Sequence, residues 1–289
     1  MIDYLLEFAK LFFINVILSS SLNMINGYCG LFSLGHAGFF AVGAYAGAAA
    51  SLFLFPGLAV SHPLLCIFLA CLVGMAAAGV AGLAVGIPCL RLSGDYLAIA
   101  TIGFGEIIRI VILNMDSVGA QSGLAGIPNL SSLGVIATAA AATVWILYSI
   151  VRSAFGRAII SVREDEIAAR SMGINISFYK NFAFVVGSMF AGLGGVLFAH
   201  LREFIAPANF QFAITVQILV MIVLGGLGSM RGAILGALIV TAVPELLRFS
   251  EYTSQISNLV FGVIMIVVML WKPEGLMGLF LRKRKKVAL

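Results

Sequence analysis

Pro63-Leu-Leu-Cys-Ile-Phe-Leu-Ala-Cys-Leu-Val-Gly-Met-Ala-Ala-Ala-Gly-Val-Ala-Gly-Leu-Ala-Val-Gly86 runs without a charged side chain. A helix crosses the hydrocarbon core of a bilayer with about 20 such residues. The run is rich in Gly and Ala, which let helix backbones approach one another where lipid, not water, is the solvent. Similar runs recur along the chain, at about 10–23, 31–54, 95–114, 131–151, 181–201, 212–230, 232–247 and 256–271. Of the 289 residues, 62% are hydrophobic, 10% are charged and 32 are Gly. A soluble domain of this length has no interior large enough for that much apolar surface. The expected fold is therefore an all-α polytopic transmembrane bundle of about eight or nine spans, with residues 1–289 forming one membrane domain. The stretch 31–54 opens in a Gly-rich segment and is expected to be broken. The 212–247 stretch is two spans if the chain turns at Gly225-Gly226-Leu227-Gly228-Ser229, and fewer if that turn is re-entrant.

Charge gives an orientation. The basic tail Arg282-Lys283-Arg284-Lys285-Lys286, within 281–289, follows the last apolar run directly and is the expected cytoplasmic anchor. Nine spans then place the N-terminus outside and gather most of the 17 basic residues on the inner side. Asp3 and Glu7 stand where a secretory signal carries positive charge, so the first apolar run is expected to be retained. Cys29, Cys66, Cys71 and Cys89 lie in or beside apolar runs without metal-ligand spacing and are read as small buried hydrophobes. No Walker Gly-x-x-x-x-Gly-Lys-Ser/Thr, His-Glu-x-x-His or Gly-x-Ser-x-Gly motif is present. The chain is expected to be a non-enzyme with no cofactor, no metal site and no nucleic-acid partner.

Two stretches resemble each other. Gly30-Leu-Phe-Ser-Leu-Gly-His-Ala-Gly38 and Gly225-Gly-Leu-Gly-Ser-Met-Arg-Gly-Ala233 both open a Gly/Ala-rich span. Gly-interrupted segments at matching places in two halves point to a transport pathway, and helix packing alone accounts for them equally well. The one long polar connection, 152–180, has a centre from Arg163 to Met172 that is rich in helix formers and closed by Gly173. It predicts a short exposed helix carrying Arg163, Glu164, Asp165, Glu166, Ala168, Ala169 and Arg170. Asp165 or Glu166 is placed to pair with Arg170 along it. Small alanines and mixed charges suit docking into a groove on another protein, and a plain solvated connection fits the same residues.

Glu166-Ile-Ala-Ala-Arg-Ser-Met-Gly173 resembles the Glu-Ala-Ala…Gly coupling motif of ABC importer permeases. Asn26-Gly-Tyr-Cys-Gly-Leu-Phe-Ser-Leu-Gly-His-Ala-Gly38, Leu90-Arg-Leu-Ser-Gly-Asp-Tyr-Leu-Ala-Ile-Ala-Thr101, Leu224-Gly-Gly-Leu-Gly-Ser229 and Trp271-Lys-Pro-Glu-Gly-Leu276 are similar, in order, to signatures of the LivM type of branched-chain amino acid permease. The resemblance implies a bacterial inner-membrane subunit that imports Leu, Ile and Val. It implies a second, LivH-like permease subunit, two cytoplasmic ATPase subunits that contact the 163–173 segment, and a substrate-binding protein outside. The chain departs from the family at Ser117–Pro128, which keeps a Gly-x-x-Gly-Ile-Pro ending and lacks the usual Thr-Gly-Gly.

Polar groups inside spans are expensive and are functional candidates for that reason. Glu106 and Arg109, one helical turn apart, are either a pathway pair or an ion pair that fixes packing. Ser33, His36, Tyr45, Tyr96 and Thr101 are further pathway candidates; His36 equally suits stitching the Gly-rich turn, and the tyrosines equally suit packing. His200, Arg202 and Glu203 read as a solvated helix end or a contact for a binding protein, and Glu245 as facing the outer water. Import of another amino acid or of a small amide such as urea, or ion-coupled secondary transport with Glu106 as the ion site, are the competing functions.

Overall fold

A computed structural model describes residues 2–92, 94–248 and residue 262. Apart from residue 262, the span expected at 256–271 lies outside the described residues, as does the basic tail. Helix α1 (Ile2–Leu22) continues through π-helical turns over Asn23–Tyr28, and α2 (His36–Ala49) widens in the same way over Ala50–Leu54. Short α3 (Leu58–Ser61) leads into α4 (Pro63–Cys89) and then α5 (Asp95–Leu113). After β1 (Leu124–Ala125) come α6 (Leu133–Arg152), α7 (Ala154–Glu164), α8 (Glu166–Ser171) and α9 (Ile176–Arg202). The described part closes with β2 (Phe204–Ile205), α10 (Phe212–Gly225) and α11 (Met230–Arg248).

Seven helices among the described residues are long and apolar enough to cross a membrane: Asp3–Tyr28, His36–Leu54, Pro63–Cys89, Asp95–Leu113, Leu133–Arg152, Ile176–Arg202 and Pro207–Gly225. The chain is thus an integral, multi-pass helical bundle. The expected count of eight or nine is not reached among these residues; α11, 19 residues long, occupies the position expected for the eighth span. Boundaries shift outward at several helices. The first span takes in Asp3 and Glu7, and α9 begins at Ile176 rather than 181, because Asn175 caps it by accepting from the Phe178 N–H at 3.1 Å.

The centre of the bundle is α9, packed against α2 and α4. This interface is built from missing side chains. A Cβ on Gly43 would sit 2.2 Å from the Gly192 Cα, and one on Gly195 would sit 2.1 Å from the Phe40 carbonyl oxygen. Backbones therefore touch, which is how apolar helices gain contact energy where lipid already satisfies their side chains. At the end away from the 152–180 connection, β1 pairs antiparallel with β2, Leu124 opposite Ile205 and Ala125 opposite Phe204. The Ile127 N–H donates to Glu203 O at 3.2 Å and Asn129 Nδ2 donates to Glu203 Oε1 at 2.7 Å, so the two loops are held as one unit.

Candidate functional site

Two helix pairs turn through non-helical backbone, at 29–35 between α1 and α2 and at 226–229 between α10 and α11. Buried irregular backbone needs protein partners for its polar groups. At the first break, the Asn26 amide donates to Ser33 O at 3.1 Å and accepts from the Ser33 N–H at 3.2 Å, closing the loop on itself. The Leu34 N–H donates to Thr101 Oγ1 at 3.0 Å, and the Ala37 N–H to Thr215 Oγ1 at 3.0 Å. His36 Nε2 lies 2.8 Å from Ser21 Oγ, both fully buried. The start of α2 is thus held by side chains from α1, α5 and α10.

The two breaks also hold each other. The Gly228 N–H donates to Asn23 Oδ1 at 2.9 Å. Gly27 lies so close that a Cβ there would be 2.5 Å from Gly228 N. Into this junction reaches Arg163, from the end of α7. Its Nη1 donates to the Gly27 carbonyl at 2.8 Å. A Cβ on Gly30 would sit 2.5 Å from Arg163 Cγ, and one on Gly228 would sit 2.9 Å from Arg163 Nη1. Gly30 and Gly228 both have φ +74°, a left-handed conformation that only Gly adopts freely. One cation from the polar connection is therefore packed against both interruptions.

The connection is not the single helix expected over Arg163–Met172. Arg163 and Glu164 close the amphipathic α7, whose Ile159 and Val162 are buried, and they pair with each other. The chain breaks at Asp165, whose carboxylate accepts from the Ile167 and Ala168 N–H groups at 2.8 and 3.0 Å and so starts α8. Acting as a cap, Asp165 does not pair with Arg170, and neither does Glu166. Glu166 instead pairs with Lys180 of α9. Ala169 is buried against Val162 and Ile176, while Ala168 and Arg170 face outward. Gly173, at φ +80°, ends the segment, and the Ile174 N–H donates back to Ala169 O at 3.1 Å. Cys29 sits behind the Glu166–Lys180 pair, and burial pushes its thiol up to about 12, with Lys180 opposing and Glu166 assisting that rise.

Of the pathway candidates, Ser33, His36 and Thr101 meet at the first break. Glu106 and Arg109 do pair, at 2.7 Å along α5. Tyr45 lies elsewhere: its hydroxyl donates to Ile205 O at 3.4 Å, near the paired loops. Tyr96, 74% exposed, joins none of them. His200 is fully buried and bonded to Ser51 Oγ at 3.1 Å, so it is no solvated helix end.

Sequence reasoning passed over two groups of residues. Asn15, Ser19, Asn23 and Asn26 form a polar stripe along α1. Asn15 Nδ2 donates to Thr241 Oγ1 at 2.8 Å and Ser19 Oγ to Ala233 O at 3.2 Å, both on α11, above the Asn23 and Asn26 contacts already described. Their spacing of three or four residues was the available signal. Ile167 of α8 and Met172, the residue directly after it, are 81% and 82% exposed. Their sign was a large apolar residue on either side of the short stretch Ala168–Ser171 in a polar connection.

The comparisons agree on a family. A family model described as the permease component of branched-chain amino acid transport systems matches residues 4–269. The high-affinity branched-chain amino acid transport system permease protein LivM of Escherichia coli (strain K12) is 34% identical over 94% of this chain and 69% of its own length. The LivM protein of Salmonella typhimurium is 35% identical over the same shares. The LivH permease protein of Salmonella typhimurium is 33% identical over 48% of this chain and 43% of its own length. No solved structure matches. With nearly its whole length matched, the chain belongs to the family of branched-chain amino acid transport system permease components.

Proposed function

We propose that the chain is the membrane-spanning permease subunit of an ABC importer for Leu, Ile and Val. A binding protein delivers the amino acid to the face opposite α7 and α8. A related, LivH-like subunit completes the membrane part; the similarity of LivH proteins to half of this chain supports such a pairing. Two ATPase subunits dock on α8 at the cytoplasmic face and supply the energy. On this reading Arg163, Glu164, Asp165, Glu166, Ala168, Ala169, Arg170 and Gly173 form the coupling segment. Ser33, His36 and Thr101, with Glu106 and Arg109, belong to the moving part of the path.

The observation that carries the reading is the Arg163 junction. A partner that shifts α8 shifts α7, and α7 ends in a side chain wedged between the breaks of two helix pairs. Exposed Ile167 and Met172 give that partner apolar anchors in a polar connection, a pattern typical of docking surfaces. Ion-coupled secondary transport fits less well, because Glu106, its ion site, is already paired with Arg109. The test is uptake of radiolabelled L-leucine by cells with and without the chain. Chain-dependent uptake that stops on ATP depletion and survives collapse of the ion gradients supports the importer. Uptake that follows the ion gradients contradicts it.

A further inference from the structure

At the end of the bundle away from Arg163, α1, α2, α9, α10 and α11 line an open cavity of about 440 Å³. Arg202 and Glu245 stand at its rim, with Asn209 and Gln217 beside them, and Phe40, Phe198 and Ile218 form its apolar wall. Charges of both signs do not persist against lipid; within a membrane protein they face a partner or a water-filled cavity. Both charges are positioned. Arg202 donates one guanidinium N–H to Glu7 at 3.0 Å and lies 5.9 Å over the Phe198 ring. Five donors sit on a guanidinium, so most of its fork is left for another acceptor. Glu245 accepts from the Tyr4 hydroxyl. Gln217 forms no hydrogen bond with any described residue.

A cavity lined in comparable measure by polar groups, a cation, an anion and amides among them, and by apolar side chains matches one class of small molecule, the zwitterionic α-amino acid with an apolar side chain. The volume lies in the range of sites for small ligands. Beneath the chamber, the polar stripe of Asn15, Ser19 and Asn23 runs along α1 to the glycine junction.

Building on the reading as a branched-chain amino acid permease, we infer that this cavity is a solute-holding site inside the single subunit. Arg202 receives the carboxylate, Glu245 the ammonium group, Gln217 and Asn209 hydrogen-bond the polar end, and Phe40 and Ile218 contact the branched side chain. The test is equilibrium binding of radiolabelled L-leucine to the full chain in lipid nanodiscs, with leucinamide (no carboxylate) and 4-methylpentanoate (no ammonium) as competitors. Each competitor binds about tenfold or more weakly than leucine. Arg202→Gln makes leucine and leucinamide equal, and Arg202→Lys restores part of the difference, which a misfolded variant does not do. Glu245→Gln makes leucine and 4-methylpentanoate equal. A folded wild-type chain that binds no leucine, or an Arg202→Gln variant that still favours leucine over leucinamide, overturns the site. In cells, leucine uptake at the parent maximal rate in Arg202→Gln, with the protein present in the membrane in parent amounts, overturns the site and leaves the permease reading standing. Absence of any chain-dependent leucine uptake overturns the permease reading itself.

Discussion

Arg163 donates a 2.8 Å hydrogen bond to the carbonyl of Gly27, which lies 136 residues earlier in the chain. A charged donor on a backbone carbonyl contributes about 1.5–3 kcal/mol when buried, and the half-exposed setting of Arg163 places it at the low end. The bond matters more for where it is made. It ties the polar connection to a point where the helical hydrogen-bond ladder is already interrupted, so a shift at one end has somewhere to go at the other.

The glycines around Arg163 are the most sensitive positions to substitution. Gly30→Ala adds a methyl group 2.5 Å from Arg163 Cγ at φ +74°. The left-handed backbone alone costs an L-residue about 1–2 kcal/mol, and displacement of the guanidinium adds to it. Gly30→Ala and Gly228→Ala lower leucine uptake at least several-fold with the protein still in the membrane, whereas Gly134→Ala, with open space around it, leaves uptake unchanged. Parallel measurements of uptake and membrane-fraction abundance check this.

Asp165 starts α8, so its loss acts on the helix rather than on charge. Asp165→Ala removes an N-cap and costs about 1 kcal/mol. Asp165→Asn keeps the acceptor and behaves like the parent chain. If the two variants affect leucine uptake equally, the residue acts through its charge and the capping role is wrong.

Much of this was legible beforehand. The run at 63–86 has no solvent but lipid, and the similarity between the stretches at 30–38 and 225–233 marked the two breaks that meet in space. The polar connection at 152–180 was legible in place and not in shape. Asp165 reads as a helical residue until its carboxylate is seen to cap the next two N–H groups, and Glu166 finds Lys180 only because α9 folds back beside α8. The Arg163 contact was invisible, since nothing local distinguishes a solvated arginine from one that reaches Gly27. Tyr96 was ambiguous for the opposite reason. A tyrosine near an apolar helix start looks the same in sequence whether it faces a pathway or the outside of the subunit.

Ile167 and Met172 carry the predicted partner contact. Ile167→Ser with Met172→Ser leaves the fold intact, because both side chains are exposed, and removes apolar anchors of the kind that dominate interfaces. Co-purification of the ATPase subunits with the double variant falls well below that with the parent chain, while the thermal unfolding midpoint stays within a few degrees.

Cys29 reports on the same junction through pH. Burial holds its thiol at about 12 rather than the ordinary 9. The unfolded chain releases this proton at lower pH than the folded one, so its contribution to stability is full below pH 9 and is lost as pH rises towards 12. Near neutral pH the native chain resists maleimide at Cys29, and denaturant exposes it. Mass spectrometry of labelled peptides before and after unfolding checks this, and prompt native labelling contradicts the packing described.

The central claim is that Arg163 transmits motion from α7 and α8 to the broken hairpins. It is tested most directly by the number of ATP molecules hydrolysed per leucine transported by the reconstituted importer carrying Arg163→Gln. Continued ATP hydrolysis with leucine transport reduced about tenfold is expected, in keeping with the loss of one charged hydrogen bond. A ratio equal to that of the parent importer, with transport intact, contradicts it.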